Sequence, residues 1–487
     1  MMKRSVFFIH RWLGVSVCLF FLLWFPSGIG MMYWDFPSVT AADRLDRSAA
    51  LDPSTIRLSP ADAYAVLNQT QAPLQARLNT FDGRPAYRFR TGPVESLVFA
   101  DTGARQGEAP DAEMERVASA WVGQPASAAS LATIDEADQW TVQGLVRAQW
   151  PLRKFSWPNG EQVYVSPSSG EVVQYTTSAS RIGAYLGPIP HWIYFTPLRA
   201  HQPVWSQLVI WSSGVGAAAA MFGLVVGVWM YSPSKRYRIA GVQTSIPYRG
   251  QKRWHAIFGL LFGLGAVTWA FSGMLSMDPF PARPTRPRAD VANALRDPLQ
   301  LTAFNARDPR QALALLPGLQ VKELELMVVA GEPLYLAALD RDHTRIVPVA
   351  APPRQEFDRQ QIVSLVNRAA QPDGLVESQV IRQYDAYYLD RHRRKPLPVI
   401  LARVNDAERT RYYIDPKTAR VVGRYGSGSW MERWLYHGLH SLDFPWLYDH
   451  RPLWDIVVIA FMLGGTALGV TSLILAWRVI GSHLPTG

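Results

Sequence analysis

The sequence predicts a membrane α-helical plus α+β fold: a four-helix transmembrane bundle from an internal duplication, carrying two external α+β domains. Three observations predict it. Four apolar stretches, near 6–33, 204–230, 254–277 and 455–477, are each long enough to cross a bilayer of roughly 30 Å, which takes about 20 helical residues. Two polar segments of domain size lie between them. The chain also repeats itself. Shifted by 245 positions, His10, Gly14, Trp24, Ser27, Gly28 and Met32 fall on His255, Gly259, Trp269, Ser272, Gly273 and Met277. Shifted by 249, His191, Phe195, Leu198, His201, Pro203 and Trp205 fall on His440, Phe444, Leu447, His450, Pro452 and Trp454.

In chain order this divides the 487 residues into a first spanning helix (1–33), an external domain (34–203), a second helix (204–230), a basic loop (231–253), a third helix (254–277), a second external domain (278–452) and a fourth helix (453–480). The first span is preceded by basic residues in the manner of a signal peptide. Its apolar core is too long for one, and its copy at 254–277 is internal, so a retained helix is expected. The external segments each read as two smaller α+β units. In the first, helices are expected near 59–70 and 111–122, strands near 85–91 and 95–101, and a closing hairpin over 161–175; period-two alternation in Tyr87-Arg88-Phe89-Arg90 marks half-buried strands. In the second, helices fall near 308–316 and 357–370 and strands near 333–339, 380–389 and 410–423. The Pro- and Arg-rich stretch 279–298 reads as a linker.

The formal net charge of +10 is concentrated beside the spans rather than spread over a nucleic-acid-binding face. Lys235, Arg236, Arg238, Arg249, Lys252 and Arg253 crowd the short loop, Lys3, Arg4 and Arg11 open the chain, and Arg478 follows the last span. Basic residues in short loops mark the cytoplasmic side. Both termini are therefore expected inside and the large segments outside, in a Gram-negative periplasm, with lipid as a partner and nucleic acid excluded.

Six of the ten histidines obey the repeat. Paired imidazoles between membrane helices are what a b-type haem iron needs. His10 and His255 each lie about one turn inside the basic end of a span, with Gly14 and Gly259 four residues on, where a missing side chain leaves room on the same helical face. They are the candidate axial pair of a cytoplasmic-side haem. At the external end His191 and His440 form one candidate pair and His201 and His450 another, with His437 three residues before His440. Arg11, Arg253, Arg433 and Arg451 could pair with haem propionates or act as interfacial anchors. Trp12, Trp192, Trp254, Trp434 and Trp454 suit a membrane-interface belt, and the deeper Trp24 and Trp269 suit packing against a cofactor. Gly223/Gly227 and Gly259/Gly263 read as tight helix packing.

Other chemistries lack their residues. The single cysteine, Cys18, permits no intrachain disulfide and no cysteine metal cluster, and without Cys-x-x-Cys-His a haem is not covalently held. No Asp, Glu, Lys or Arg lies centrally in a span, so an ion path is not evident. There is no dinucleotide fingerprint, no His-Glu-x-x-His and no Gly-x-Ser-x-Gly. The basic loop is too short for a nicotinamide or flavin domain, so electrons are expected from a quinol or a separate reductase.

The hairpins Tyr164-Val165-Ser166-Pro167-Ser168-Ser169-Gly170-Glu171-Val172-Val173 and Tyr413-Ile414-Asp415-Pro416-Lys417-Thr418-Ala419-Arg420-Val421-Val422 resemble the closing turn of PepSY domains. His10-Arg11-Trp12-Leu13-Gly14 resembles the opening of the PepSY-associated transmembrane family, and Leu439-His440 its second histidine signature. Two departures touch turn chemistry: Ala419 stands where a glycine is usual, and Ser166 where an aspartate is. The resemblance spans essentially the whole chain. It implies two PepSY-like periplasmic domains and an inner-membrane protein, and some members are di-haem reductases of ferric siderophores. It favours His191 with His440 as the second axial pair, leaving His201, His450 and His437 as alternates. The expected activity is that of an oxidoreductase with two haem b groups that reduces ferric siderophore iron. The competing expectation is a non-enzymatic, membrane-anchored binding or regulatory protein; a third is a haem reductase acting on copper or a quinone.

Overall fold

A computed structural model of the chain describes residues 2–92, 94–280 and 290–482. Four long apolar helices dominate it: α1 (Met2–Met31), α2 (Gln202–Met230), α3 (Gly250–Leu275) and α4 (Leu453–Gly481). Each exceeds the roughly 20 residues a bilayer requires. They pack as a square in which α1 and α3 each touch both α2 and α4. Small residues permit the close approach. A Cβ at Gly469 of α4 would meet the α1 backbone at Leu22 (3.4 Å), and one at Gly216 of α2 would touch Phe21 (3.4 Å). At one end of the bundle, α2 and α3 are joined by a small hairpin, Tyr237–Ile239 with Val242–Thr244. All the larger sheets gather at the other. These are called the hairpin end and the sheet end below.

The sheet-end segments form three antiparallel sheets. Two have four strands each and run in chain order. One is Ser130–Ile134, Leu152–Ser156, Gln162–Val165 and Val172–Thr176, with the helix Asp111–Val122 packed on it. The other is Leu375–Ile381, Val399–Val404, Arg411–Asp415 and Arg420–Tyr425, with the helix Arg359–Ala369. The third has six strands and is shared. Gln75–Phe81 pairs with Glu323–Val329, so three strands from 75–99 continue into three from 323–348. Alternation gives this seam two characters: Ala76, Leu78, Leu324 and Leu326 enter the core on one face, while Arg77 opposes Glu325 on the other.

Several expected elements lie close to their sequence positions: Asp111–Val122, Arg84–Thr91 and Glu332–Ala338. The strand expected over 380–389 does not form. Pairing ends at Ile381, and Tyr384, Asp385 and Tyr388 enter an irregular segment in which Asp385 accepts bonds from the Tyr387 and Tyr388 amides (2.8 and 2.7 Å) and the Tyr413 hydroxyl. The turn at Ala419 keeps its shape without glycine: Ala419 takes φ 51°, the left-handed conformation that Gly170 takes at φ 68° in the other hairpin. Asp415 braces it by accepting from the Lys417 amide (3.0 Å) and the Thr418 hydroxyl (2.6 Å). Of the stretch expected to be a linker, 281–289 lies outside the described residues.

Candidate functional site

Two pairs of histidines face one another inside the bundle, one near each end. At the hairpin end, His10 on α1 and His255 on α3 stand with ring centroids 6.1 Å apart and planes inclined by 31°. Each Nδ1 is held by a neighbouring helix. His10 bonds the Ala219 carbonyl of α2 (3.0 Å), and His255 lies 3.4 Å from the hydroxyls of Thr471 and Ser472 of α4. Gly223 of α2 is what lets His10 into this position, since a Cβ there would sit 2.5 Å from its Cε1. Beside the pair, a Cβ at Gly14 would meet nothing within 4 Å, and one at Gly259 would meet only Leu468 at 3.9 Å. There is open space one turn from each ring.

At the sheet end, His191 and His440 stand 5.8 Å apart, inclined by 65°. They ride on short helical segments, Pro188–Trp192 and Leu439–Ser441, which turn back towards the bundle before α2 and α4 begin. Their Nδ1 atoms are held by the repeated serines, His191 by Ser27 (3.2 Å) and His440 by Ser272 (3.1 Å), and His191 also bonds the Trp24 carbonyl (3.2 Å). Gly28 and Gly273, the next residues, lie beside the rings: a Cβ on Gly28 would meet Met462 Sδ at 2.8 Å and His191 Cε1 at 3.7 Å, and one on Gly273 would touch His440 Cε1 at 3.5 Å. Both rings line a cavity with Trp24, Trp269, Tyr436 and Met462. Burial pushes His191 down to about 4 and His440 to about 3, the latter aided by its neighbour His191. Both are therefore neutral imidazoles, the form that ligates metals.

The remaining histidines lie elsewhere. His201 and His450 are exposed, each bonded to the carbonyl four residues earlier, Pro197 (3.1 Å) and Trp446 (2.6 Å), and among the described residues no ring contact joins them. They occupy the entries to α2 and α4. The His437 ring lies 4.6 Å from that of Tyr436, tilted by 41°, in a π-helical segment, Met431–Gly438, whose Tyr436 ring in turn lies 5.5 Å from His440. Of the four arginines, Arg253 donates to Thr244 (2.9 Å) and Arg451 pairs with Asp455 while lying 4.4 Å over Trp454. Arg11 is exposed. Arg433 is buried; it donates to the carbonyls of Ala386 and Asp443, and its Nη1 has no partner among the described residues.

Sequence reasoning did not assign the braces Ser27, Ser272, Ala219, Thr471 and Ser472. The two serines carried a signal, since they belong to the repeat, but their role depends on histidines about 165 positions away. Gly223 was legible only as a packing glycine; its neighbour is an imidazole.

Among the described residues the hydrogen bonds of these four rings run through Nδ1, which leaves Nε2 of each as the nitrogen open to a metal. Among the described residues no group of three or more His, Cys, Asp or Glu could hold a bare ion. Two-ligand pairs of this kind suit a macrocycle that brings its own equatorial nitrogens. No curated protein matches the chain. Residues 7–314, a span that runs from α1 through α3 and includes His10, His191 and His255, match the PepSY-associated TM region. With four membrane-spanning helices and a match over more than half its length, the chain belongs to the PepSY-associated transmembrane family.

Proposed function

We propose that this protein is a di-haem b oxidoreductase of the inner membrane that passes electrons to ferric iron held by a periplasmic siderophore. In this reading His10 with His255 would hold one haem and His191 with His440 the other. The observation that carries it is the spacing of the rings. The rings of each pair face one another at 6.1 and 5.8 Å, so each pair would hold one haem iron between two imidazoles. When bound, haem supplies a reversible one-electron iron couple.

The chain's own residues do the rest. The Nδ1 bonds fix each ring's orientation and raise its basicity as a ligand. From His10 to Ser27, or from His255 to Ser272, is 17 residues, so α1 and α3 hold the two sites about 26 Å apart along the bundle. At the sheet-end side of this interval Phe25, Trp269 and Phe461 pack ring to ring at 5.9 and 6.0 Å. The unpartnered Arg433 Nη1 is a donor suited to a propionate.

The basic hairpin end is assigned to the cytoplasm and the sheets to the periplasm. Electrons enter from a quinol or a separate reductase. The acceptor, ferric iron in a siderophore, becomes ferrous iron, which hard-oxygen chelators hold less tightly, and the metal is released with the chelator intact. The matched residue positions of the two halves are read as an internal duplication, and the sheet-end units as PepSY-like domains.

A pyridine haemochrome assay and visible spectra of the detergent-purified protein test this reading. Two b-type haems per chain, reduced by dithionite and reoxidised by a ferric siderophore, are expected. A haem-free protein after expression with ample haem overturns it and leaves a membrane-anchored binding protein.

A further inference from the structure

Resting on the reductase reading, we propose that a basic cleft beside the irregular segment 382–398 is the docking site of the metal substrate, and that it selects chelates of net negative charge. The cleft has a volume of about 870 Å³ and lies between this segment, the turn 415–420 and the residues leading into Thr344–Pro348. That is the size range of sites that enclose a whole small ligand, roughly 300–1,000 Å³. Seven basic side chains line it against three acidic ones. Among the described residues, Arg382, Arg393, Arg394 and Lys417 have no ion-pair partner. Of the acids, Asp415 is already engaged by its own turn.

A neighbouring cavity of about 860 Å³ along the seam of the six-stranded sheet makes the contrast. Among the described residues seven of its eight arginines pair with carboxylates, including Arg77 with Glu95 and Glu323, Arg116 with Asp82 and Arg296 with Glu325, while Arg47 lies over Trp121 and Tyr175. The first cleft instead has four basic side chains without such partners, and unpaired charge in a concave site concentrates anions.

The second observation is what lies beneath the cleft. Tyr384, in its lining, begins a run of ring contacts: to Tyr388 (5.9 Å), Tyr413 (4.7 Å), Tyr425 (5.9 Å), Tyr387 (5.8 Å) and Trp434 (6.1 Å). Trp434 shares its helical segment with Tyr436, whose ring contacts His440. The run of packed rings therefore reaches from the cleft floor to Trp434, on the helical segment whose Tyr436 ring contacts His440. The electron balance is the reductase's own: chelated ferric iron gains the one electron that the haem iron loses, with no other bond made or broken. The occupant is a compact chelate rather than a lipid headgroup, because three turns of the sheets wall a volume sufficient for a whole ligand.

Equilibrium dialysis of the oxidised, detergent-purified protein against radioactive iron tests this, using the trianionic ferric tris-catecholate and the neutral ferric tris-acetohydroxamate as probes. The anionic complex is expected to bind about tenfold tighter or better at low salt, with the preference shrinking as salt rises. The triple variant R393E/R394E/K417E is expected to weaken the anion by about tenfold or more while leaving haem content and spectrum unchanged, and R393K/R394K to retain binding. Equal affinity for the two probes, unchanged affinity in the triple variant, or displacement of the chelate by phosphatidylglycerol nanodiscs each overturns the assignment. Because binding is read without reduction, the two readings fail separately: a chelate that binds in the cleft yet does not reoxidise the dithionite-reduced protein supports the cleft and removes the reductase.

Discussion

At the hairpin end the histidines ride on the long helices α1 and α3, and their braces come from α2 and α4. At the sheet end the arrangement is inverted: His191 and His440 ride on short segments outside the spans, and the braces Ser27 and Ser272 come from α1 and α3. Each of α1 and α3 thus presents a ring at one end and holds another segment's ring at the other. The difference teaches where each site is vulnerable. The hairpin-end pair depends on helix-to-helix packing, whereas the sheet-end pair depends on how the sheets return the chain to the bundle.

The largest expected effect separates the two sites outright. His255→Ala should remove one haem per chain and His440→Ala the other, counted by pyridine haemochrome; either variant retaining both haems would break the comparison. Gly223→Ala comes next. Alanine is favoured over glycine in a helix interior by about 1 kcal/mol, yet here its methyl would stand 2.5 Å from His10. It should deplete the hairpin-end haem and spare the sheet-end haem, seen as loss of half the haem absorbance. Gly30→Ala is the counterpart for the other end. Gly30 and Gly187 bring α1 and the His191 segment into backbone contact, and a methyl on Gly30 would collide with the Leu186 carbonyl. Overpacking of this kind costs about 1–3 kcal/mol, so thermal stability should fall and the sheet-end haem should be lost first; loss of the hairpin-end haem instead would contradict the inversion.

The smallest effect is a pH dependence confined to one half. Burial pushes the Asp443 carboxyl up to about 6, against the pull of Arg433, Arg391 and Arg451, and at the matched position of the first half stands Tyr194. Between its ordinary value of 3.8 and about 6, the folded chain holds a proton that the unfolded chain has released. Stability should therefore fall as pH rises through that window. Asp443→Asn should flatten the slope measured by thermal unfolding between pH 4 and pH 6; an unchanged slope would locate the titrating group elsewhere.

Much of the bundle was legible because hydropathy and repeat are properties of the chain itself. The spans, the basic loop, the pairing of His10 with His255 and two candidate external pairs came from residue type and spacing, and the family resemblance favoured His191 with His440. The sheets were half legible: hairpins with local turns, such as 161–175, announced themselves, while Gln75–Phe81 and Glu323–Val329 did not. Their partner strands lie about 245 residues apart, and alternation does not say what a strand pairs with. The strand expected over 380–389 failed for a related reason, since Tyr384 and Tyr388 look β-prone by type but are taken by ring contacts with one another and with Tyr413.

By itself, the sequence determined that this protein has four helices long and apolar enough to cross a membrane, that it belongs to the PepSY-associated transmembrane family, and that its histidines come in matched sets. Those are consequences of apolar length and of repetition, which need no folding to be read. Only the tertiary structure decided that His191 meets His440 while His201 and His450 stay at the surface, that serines and a glycine of distant helices position the rings, and that strands of both halves merge into one sheet. Each of these is a contact between segments some 165 to 250 positions apart, where the energetics of packing choose the partner and local residue pattern is silent.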